Sequence, residues 1–232
     1  MKKSLPNNLH DEVVKIRRDL HKIPETAFKE FETSNYIKNF LKSNDIEFES
    51  DIAETGILVE LIGEKTGKNV LALRADIDGL PIQEETDLEF KSQNGNMHAC
   101  GHDGHVAMML IALKYLNLNK ENIAGKLKVI FQPAEEEVGG AKAMIEQKPD
   151  FFKDFTHVFG FHIWNQIDLG KIAFNDNTVF VSADTFEIEV FGKGGHGAMP
   201  HLNTDPIFIA ANLIISAQSI ISRKKNPGKL GV

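Results

Sequence analysis

Val70-Leu71-Ala72-Leu73-Arg74-Ala75 is a nearly continuous apolar run, and it ends in Asp76-Ile77-Asp78-Gly79. A run of this kind is expected of a β-strand covered on both faces, so acidic groups sit where a buried strand emerges. The pattern recurs twice. Lys126 to Phe131 reads as a strand that breaks at Gln132-Pro133-Ala134 into Glu135-Glu136-Glu137, and His157 to Phe161 reads as one that finishes at His162-Ile163-Trp164. Helices are expected between these strands. Val106, Met109, Leu110, Leu113 and Leu116 recur at helical intervals after Asp103, and Gly139 to Glu146 is a connector of helix length. Strands alternating with helices predict a mostly parallel α/β sheet flanked by helices, and ligands of such sheets gather at the carboxyl ends of the strands. Asp76, Glu135, Glu136 and His162 are all expected on that edge.

Earlier in the chain, Leu9, Val13, Ile16 and Leu20 predict an amphipathic surface helix closed by Pro24, and a second helix is expected from about Phe31 to Leu41. His10 and His21 read as ordinary surface histidines of these packing helices. Strands are expected near Phe48 and over Gly56 to Ile62. Of the adjacent methionines, Met108 and Met109 both read as core. Later, Lys171 to Phe174 predicts a short strand ended by Asn175-Asp176-Asn177, and Asp184 to Val190 alternates from Thr185 on as a strand with one wet face. A glycine loop with His196 and His201 follows, and Asp205-Pro206 opens a helix to about Arg223. A domain boundary is expected near Ser182, giving units 1–181 and 182–232.

The 232 residues are 42% hydrophobic and 25% charged, as in a soluble globular protein. A formal net charge of −7 and no basic block longer than Arg223-Lys224-Lys225 exclude a phosphate-backbone partner. No nucleic acid or membrane is expected as a partner, and Met1-Lys2-Lys3-Ser4 leads into no apolar run, so a cytoplasmic location is expected. A lone cysteine forms no internal disulfide, and in a reducing compartment it reads as a ligand or a nucleophile.

That cysteine lies in Met97-His98-Ala99-Cys100-Gly101-His102-Asp103-Gly104-His105, with three of the nine histidines. Cys100 and His102 are two apart, so in an extended segment both side chains would project to one side and could grip one metal. Gly101 and Gly104 leave the backbone free for tight turns. Cys100, His102, Glu136 and His162 together offer a thiolate, two imidazoles and a carboxylate, enough for a centre of two divalent ions. Zinc, manganese, cobalt and nickel all suit that donor set. Adjacent side chains leave a backbone in different directions, so one of Glu135 and Glu136 can ligate while the other faces bound water as a general base. Alone, Glu135-Glu136-Glu137 would read as a solvated charge run; its place after an apolar strand and Pro133 argues for a site. His157, at the far end of its strand, reads as a packing residue, and His98 and His105 as neighbours that cap the helix or orient a ligand.

Five blocks together carry a family resemblance: Arg74 to Ile82, Met97 to His105, Phe131 to Glu136, Phe159 to His162, and Gly192 to His201. In this order, over nearly the whole chain, they resemble the M20 metallopeptidase family. The likeness is to its amidohydrolase branch of hippurate hydrolases, N-acyl-amino-acid amidohydrolases and auxin-conjugate hydrolases. The resemblance implies a zinc-exopeptidase-like catalytic domain and the start of a smaller α+β lid that mediates homodimerisation. It implies Cys100, His102, Glu136 and His162 as metal ligands, Glu135 as the base, and His196 reaching a partner's active site to steady the oxyanion. Asp76 would orient a ligand and His201 would contact substrate; by position alone, Asp103 reads as a helix cap or a ligand's hydrogen-bond partner, and Trp164 as lining the substrate pocket or as a partly buried core aromatic. The implied reaction is hydrolysis of an N-acyl amino acid, Glu135 deprotonating water and passing the proton to the leaving amine.

Family members run well past residue 232, completing the lid and supplying a final metal-binding histidine. The chain is therefore expected to be either a fragment of a longer protein or a truncated product. The competing expectations are a non-catalytic remnant that dimerises or binds, and a dipeptidase or carbamoyl-amino-acid hydrolase of the same architecture.

Overall fold

The computed structural model describes residues 7–137, 139–174 and 185–224, which form two units, Met1–Asn165 and Gln166–Val232. The expected boundary near Ser182, the turn Asn175-Asp176-Asn177 and residue Asp184 lie outside the described residues.

In the first unit, helices α1 (Asn7–His21) and α2 (Phe31–Ser43) precede strands β1 (Glu49–Ile52), β2 (Gly56–Ile62) and β3 (Lys65–Asp76). Helix α3 (His102–Asn117), strand β4 (Ala124–Gln132), helix α4 (Gly140–Gln147) and strand β5 (His157–Gly160) follow. The strands form one sheet in the order β1-β2-β4-β3-β5. β3 runs parallel to both β4 and β5, whereas β2 is antiparallel to β1 and β4, so the sheet is mixed and only β2 runs against the rest.

Side chains alternate across the strands and divide the apolar residues between two faces. Ile57, Val59 and Leu61 of β2 join Leu127, Val129 and Phe131 of β4 and the apolar stripes of α1, α2 and α3, including Leu20, Ile37, Leu41, Leu110 and Leu113. Leu58 and Ile130 point the other way, to Ile52 and to Met144 of α4. Burying one such side chain contributes about 1.5–3 kcal/mol, and this double-sided core fixes the sheet. Met109 belongs to that core, but Met108 is 40% exposed, because neighbours on a helix point about 100° apart.

Cover is uneven towards β5. Val70 and Ala72 of β3 are buried while Leu71 and Leu73 are only half-buried, so β3 is not covered on both faces as its apolar run suggests. β5 pairs only with β3 among the described residues, and all four of its residues are exposed. His157 is therefore a surface residue, not a packing one.

In the second unit, Lys171–Phe174 and Thr185–Val190 form no strand, contrary to the expectation of a short strand at the first and to the alternation of the second. A strand is held by its neighbours, and the unit shows only an isolated bridge, Lys193 to Thr204, among the described residues. Helix α5 (Pro206–Ser219) is capped by Asp205, whose carboxylate accepts from the amides of Ile207 and Phe208, and continues as a π-helical turn, Ile220–Lys224. Pro206–Lys224 is long and apolar enough by composition to cross a membrane, with a mean hydropathy of 1.3, although the sequence holds no unbroken apolar run of that length.

Candidate metal centre

Because β3, β4 and β5 are parallel, their carboxyl ends open on one edge of the sheet, where Asp76 ends β3 and Glu135, Glu136 and His162 follow within four residues of β4 or β5. α3 brings its first turn to the same edge. Cys100 and His102 do not converge through strand alternation: Cys100 lies in a turn, His102 is the first residue of α3, and Gly101 between them has φ +89°. A left-handed residue there is cheap only for glycine. Gly104 lies close under the segment bearing His162: a Cβ on it would lie 2.5 Å from Cδ1 of Ile163, and that side-chain end would have to move aside.

His102 is the hub. Its Nδ1 faces the carbonyl of Asp78 at 3.0 Å and Oδ1 of Asp78 at 3.2 Å. Both are acceptors, so Nδ1 carries the proton and Nε2 presents its lone pair. Around Nε2 lie Oδ2 of Asp76 at 3.5 Å, Oε1 of Glu136 at 3.8 Å and Oε2 of Glu135 at 3.9 Å. His162 is arranged in the same way. Its Nδ1 donates to the Ile163 carbonyl at 2.6 Å and its Nε2 lies 3.3 Å from Sγ of Cys100.

Three overlapping groups, Cys100-His102-His162, Asp76-His102-His105 and His102-Glu135-Glu136, have ligand atoms within 4.8 Å of one another. Cys100, His102, Glu135, Glu136, His162 and Asp76 are thus brought together. Trp164 packs edge-on against His162, with ring centroids 5.9 Å apart, and is 53% exposed. Asp103 faces elsewhere, its Oδ2 accepting from Nδ1 of His21 at 2.7 Å and from Nε of Arg17 at 3.0 Å. His196 and His201 lie in the second unit. The former accepts the Ala198 amide on Nδ1, the latter sits in a short 3₁₀ turn, and both are exposed.

Two supporting residues complete the site: Asp78, which was not singled out from the sequence, and His105, which reads there as a neighbour that caps the helix or orients a ligand. Asp78 holds His102 with one carboxylate oxygen and accepts the Glu136 amide on the other at 2.9 Å, tying two candidate ligands together. His105 is fully satisfied: Nδ1 donates to Oδ1 of Asp76 at 2.6 Å, and Nε2 accepts the Ile163 amide at 2.9 Å, which fixes the segment bearing His162. The signal for Asp78 was its place at the strand exit.

The electrostatics of this donor set call for a cation. Burial, and then the neighbouring Glu136, Glu135 and Asp76, push the Cys100 thiol up to about 12. Burial disfavours protonated His102, yet Asp78, Asp76 and Glu136 outweigh it and hold the imidazole above its ordinary value. Buried Nε2 of His102 and Oε1 of Glu136 have no hydrogen-bond partner. Orphaned buried acceptors are costly, and a divalent ion between them would satisfy both and stabilise the thiolate. The residues present therefore fit a metal centre.

Comparison with known proteins agrees. Residues 72–229 match the model of peptidase family M20/M25/M40. The chain is 43% identical over 223 residues to thermostable carboxypeptidase 1 of Saccharolobus solfataricus, covering 94% of this chain and 56% of that protein. It is 42% identical over 224 residues to the hippurate hydrolase of Campylobacter jejuni, covering 95% and 57%. Among solved structures it is similar to the Bacillus subtilis YXEP protein, a dinuclear metal binding peptidase, with a TM-score of 0.64 and 40% identity over 68% of this chain and 44% of that one. The chain spans about half the length of the curated relatives it matches. By sequence and by fold it belongs to peptidase family M20/M25/M40.

Proposed function

We propose that the protein is a metal-dependent amidohydrolase whose centre of two divalent ions is built on Cys100, His102, Glu136 and His162, and that it hydrolyses the amide of an N-acyl amino acid. The observation that carries this reading is the convergence of two imidazole Nε2 atoms, a thiol and two carboxylates on one strand edge, with Nε2 of His102 and Oε1 of Glu136 buried and unpartnered. The bound ions would lower the pKa of water and polarise the amide carbonyl.

The chain's own residues supply the rest. Glu135 is the more exposed of the two glutamates, at 38% against 19%, and faces the centre from the solvent side, where it takes a proton from water as hydroxide attacks the carbonyl carbon. The C–N bond then breaks, Glu135 returns the proton to the leaving amine, and a carboxylate and a free amino acid result. A base so placed contributes about 10²–10⁴ in rate. Asp78 and His105 keep the ligands aimed, Asp76 supports His105 and lies against His102, and Trp164 offers an apolar wall beside His162 for the acyl group. Asp103 secures the first turn of α3, which carries His102.

In the whole protein, residues 182–232 open a lid through which two chains pair, His196 steadies the oxyanion and His201 contacts the substrate carboxylate. A cytoplasmic location accompanies this reading. A second reading is cleavage of a peptide or carbamoyl amide by the same machinery, and the 43% identity to a carboxypeptidase supports its peptide form.

Elemental analysis of the purified chain combined with assays on hippurate, N-acetyl amino acids and dipeptides tests the proposal. Two ions per chain and release of a free amino acid from acyl substrates are expected. A preference for dipeptides selects the second reading. One ion or none, with no turnover, would show a binding remnant instead.

A further inference from the structure

Glu30 is the residue just before α2, where a polar side chain usually caps the helix, yet it makes no such bond. It is completely buried, and its carboxylate turns inward. Oε2 accepts the Thr55 hydroxyl at 2.5 Å, and Oε1 accepts the backbone amide of Ala134 at 2.9 Å, 104 residues along the chain. Ala134 immediately precedes Glu135 and Glu136, and it has φ +49°. A non-glycine residue in that region costs of order 1–3 kcal/mol and persists only where its surroundings enforce it. Two amides later, the Glu136 N–H is held by Asp78. Two buried carboxylates thus pin the two ends of Ala134-Glu135-Glu136, one from the approach to α2 and one from the exit of β3.

We propose that Glu30 is a positioning residue for the Glu135–Glu136 pair, fixing the backbone turn from which one carboxylate ligates and the other abstracts a proton. The inference rests on the metal-centre reading above. Burial raises the Glu30 carboxyl, and the Thr55 and Ala134 donors pull it back, as fits a group recruited for its two acceptor oxygens. Glutamine can keep both contacts, its carbonyl accepting from Ala134 and its amide donating to Thr55. Leucine fills the space and keeps neither, and aspartate keeps the charge but is one methylene too short.

Cobalt(II) titration of the full chain, read by visible absorption, separates these roles. Parent protein and Glu30→Gln should bind cobalt within about threefold of each other. Glu30→Leu and Glu30→Asp should bind about 10–100-fold more weakly, the usual effect of losing a group that orients a ligand. Their turnover should fall through kcat more than through KM. If Glu30→Leu does not melt cooperatively, Glu30→Asp carries the test alone. Parent-like cobalt affinity in a folded Glu30→Leu or Glu30→Asp, with only a lower melting temperature, would reduce Glu30 to packing and overturn the proposal. Affinity lost equally in Glu30→Gln would overturn it too, because the geometry would then not be what matters. A parent chain that binds no cobalt would refute the metal centre itself, a distinct result.

Discussion

His21 and His102 are both buried, and both sit among carboxylates, but their nitrogens are used differently. His21, the last residue of α1, faces an acceptor at each nitrogen: Oδ2 of Asp103 at 2.7 Å and Oε1 of Glu84 at 3.2 Å. Only the imidazolium can donate to both, so His21 is the cation of an ion cluster that also holds Arg17 on Asp103 and the Thr86 hydroxyl and Ser92 amide on Glu84. His102, one residue before Asp103, spends Nδ1 on Asp78 and leaves Nε2 without a partner. Between these two histidines the difference lies in the nitrogens: both face a carboxylate at His21, and one is left free to meet a cation at His102.

The comparison breaks at its ligand side under the largest expected effect. Glu135→Gln should lower kcat about 10²–10⁴-fold while metal content stays unchanged, since glutamine keeps the shape but cannot take a proton. Metal analysis of the same sample checks the second half of that statement.

On the structural side, His21→Gln leaves buried carboxylates unpaired and should cost about 3 kcal/mol in denaturant unfolding. The pH dependence follows from the shifts. The Asp103 hydrogen bond raises His21 against the opposing effect of burial. A raised histidine contributes stability that is fully present below about 6.5 and is lost as pH rises through the folded value. Glu84 behaves oppositely: burial is outweighed by Thr86, Ser92 and His21, which hold it at about 2, so its contribution is full above about 4.5 and is lost as pH falls from there through about 2. The stability gap between parent and His21→Gln should therefore narrow as pH rises from 6.5. A gap that widened would assign the wrong charge to His21.

A smaller effect sharpens the ligand side. Asp78→Ala frees the His102 ring and should weaken metal binding about 10–100-fold, seen by competition with a chelator. Least of all, His157→Ala on the exposed edge strand should change stability by less than about 0.5 kcal/mol and leave metal binding alone.

These contrasts also mark what the sequence could reveal. Periodicity places β2 at Gly56–Ile62 and α3 from the His102 region, because each segment carries its own burial pattern. The strand-exit rule collects Asp76, Glu135, Glu136 and His162, because parallel strands necessarily end together. What stayed hidden depends on partners far along the chain. His21 reads as a surface histidine among charges, yet it is 3% exposed because its helix ends against Glu84 and Asp103. Glu30 meets Ala134 104 residues later, and no local pattern announces that contact. His157 fails in the opposite direction, its apolar strand lying at an edge that no described neighbour covers.

The most direct test of the whole account is the number of metal ions bound by the parent chain and by Cys100→Ala, His102→Ala and His162→Ala, measured by elemental analysis after dialysis against zinc. The account expects two ions in the parent and a loss of at least one in each variant. Parent and variants retaining the same zinc content would contradict it.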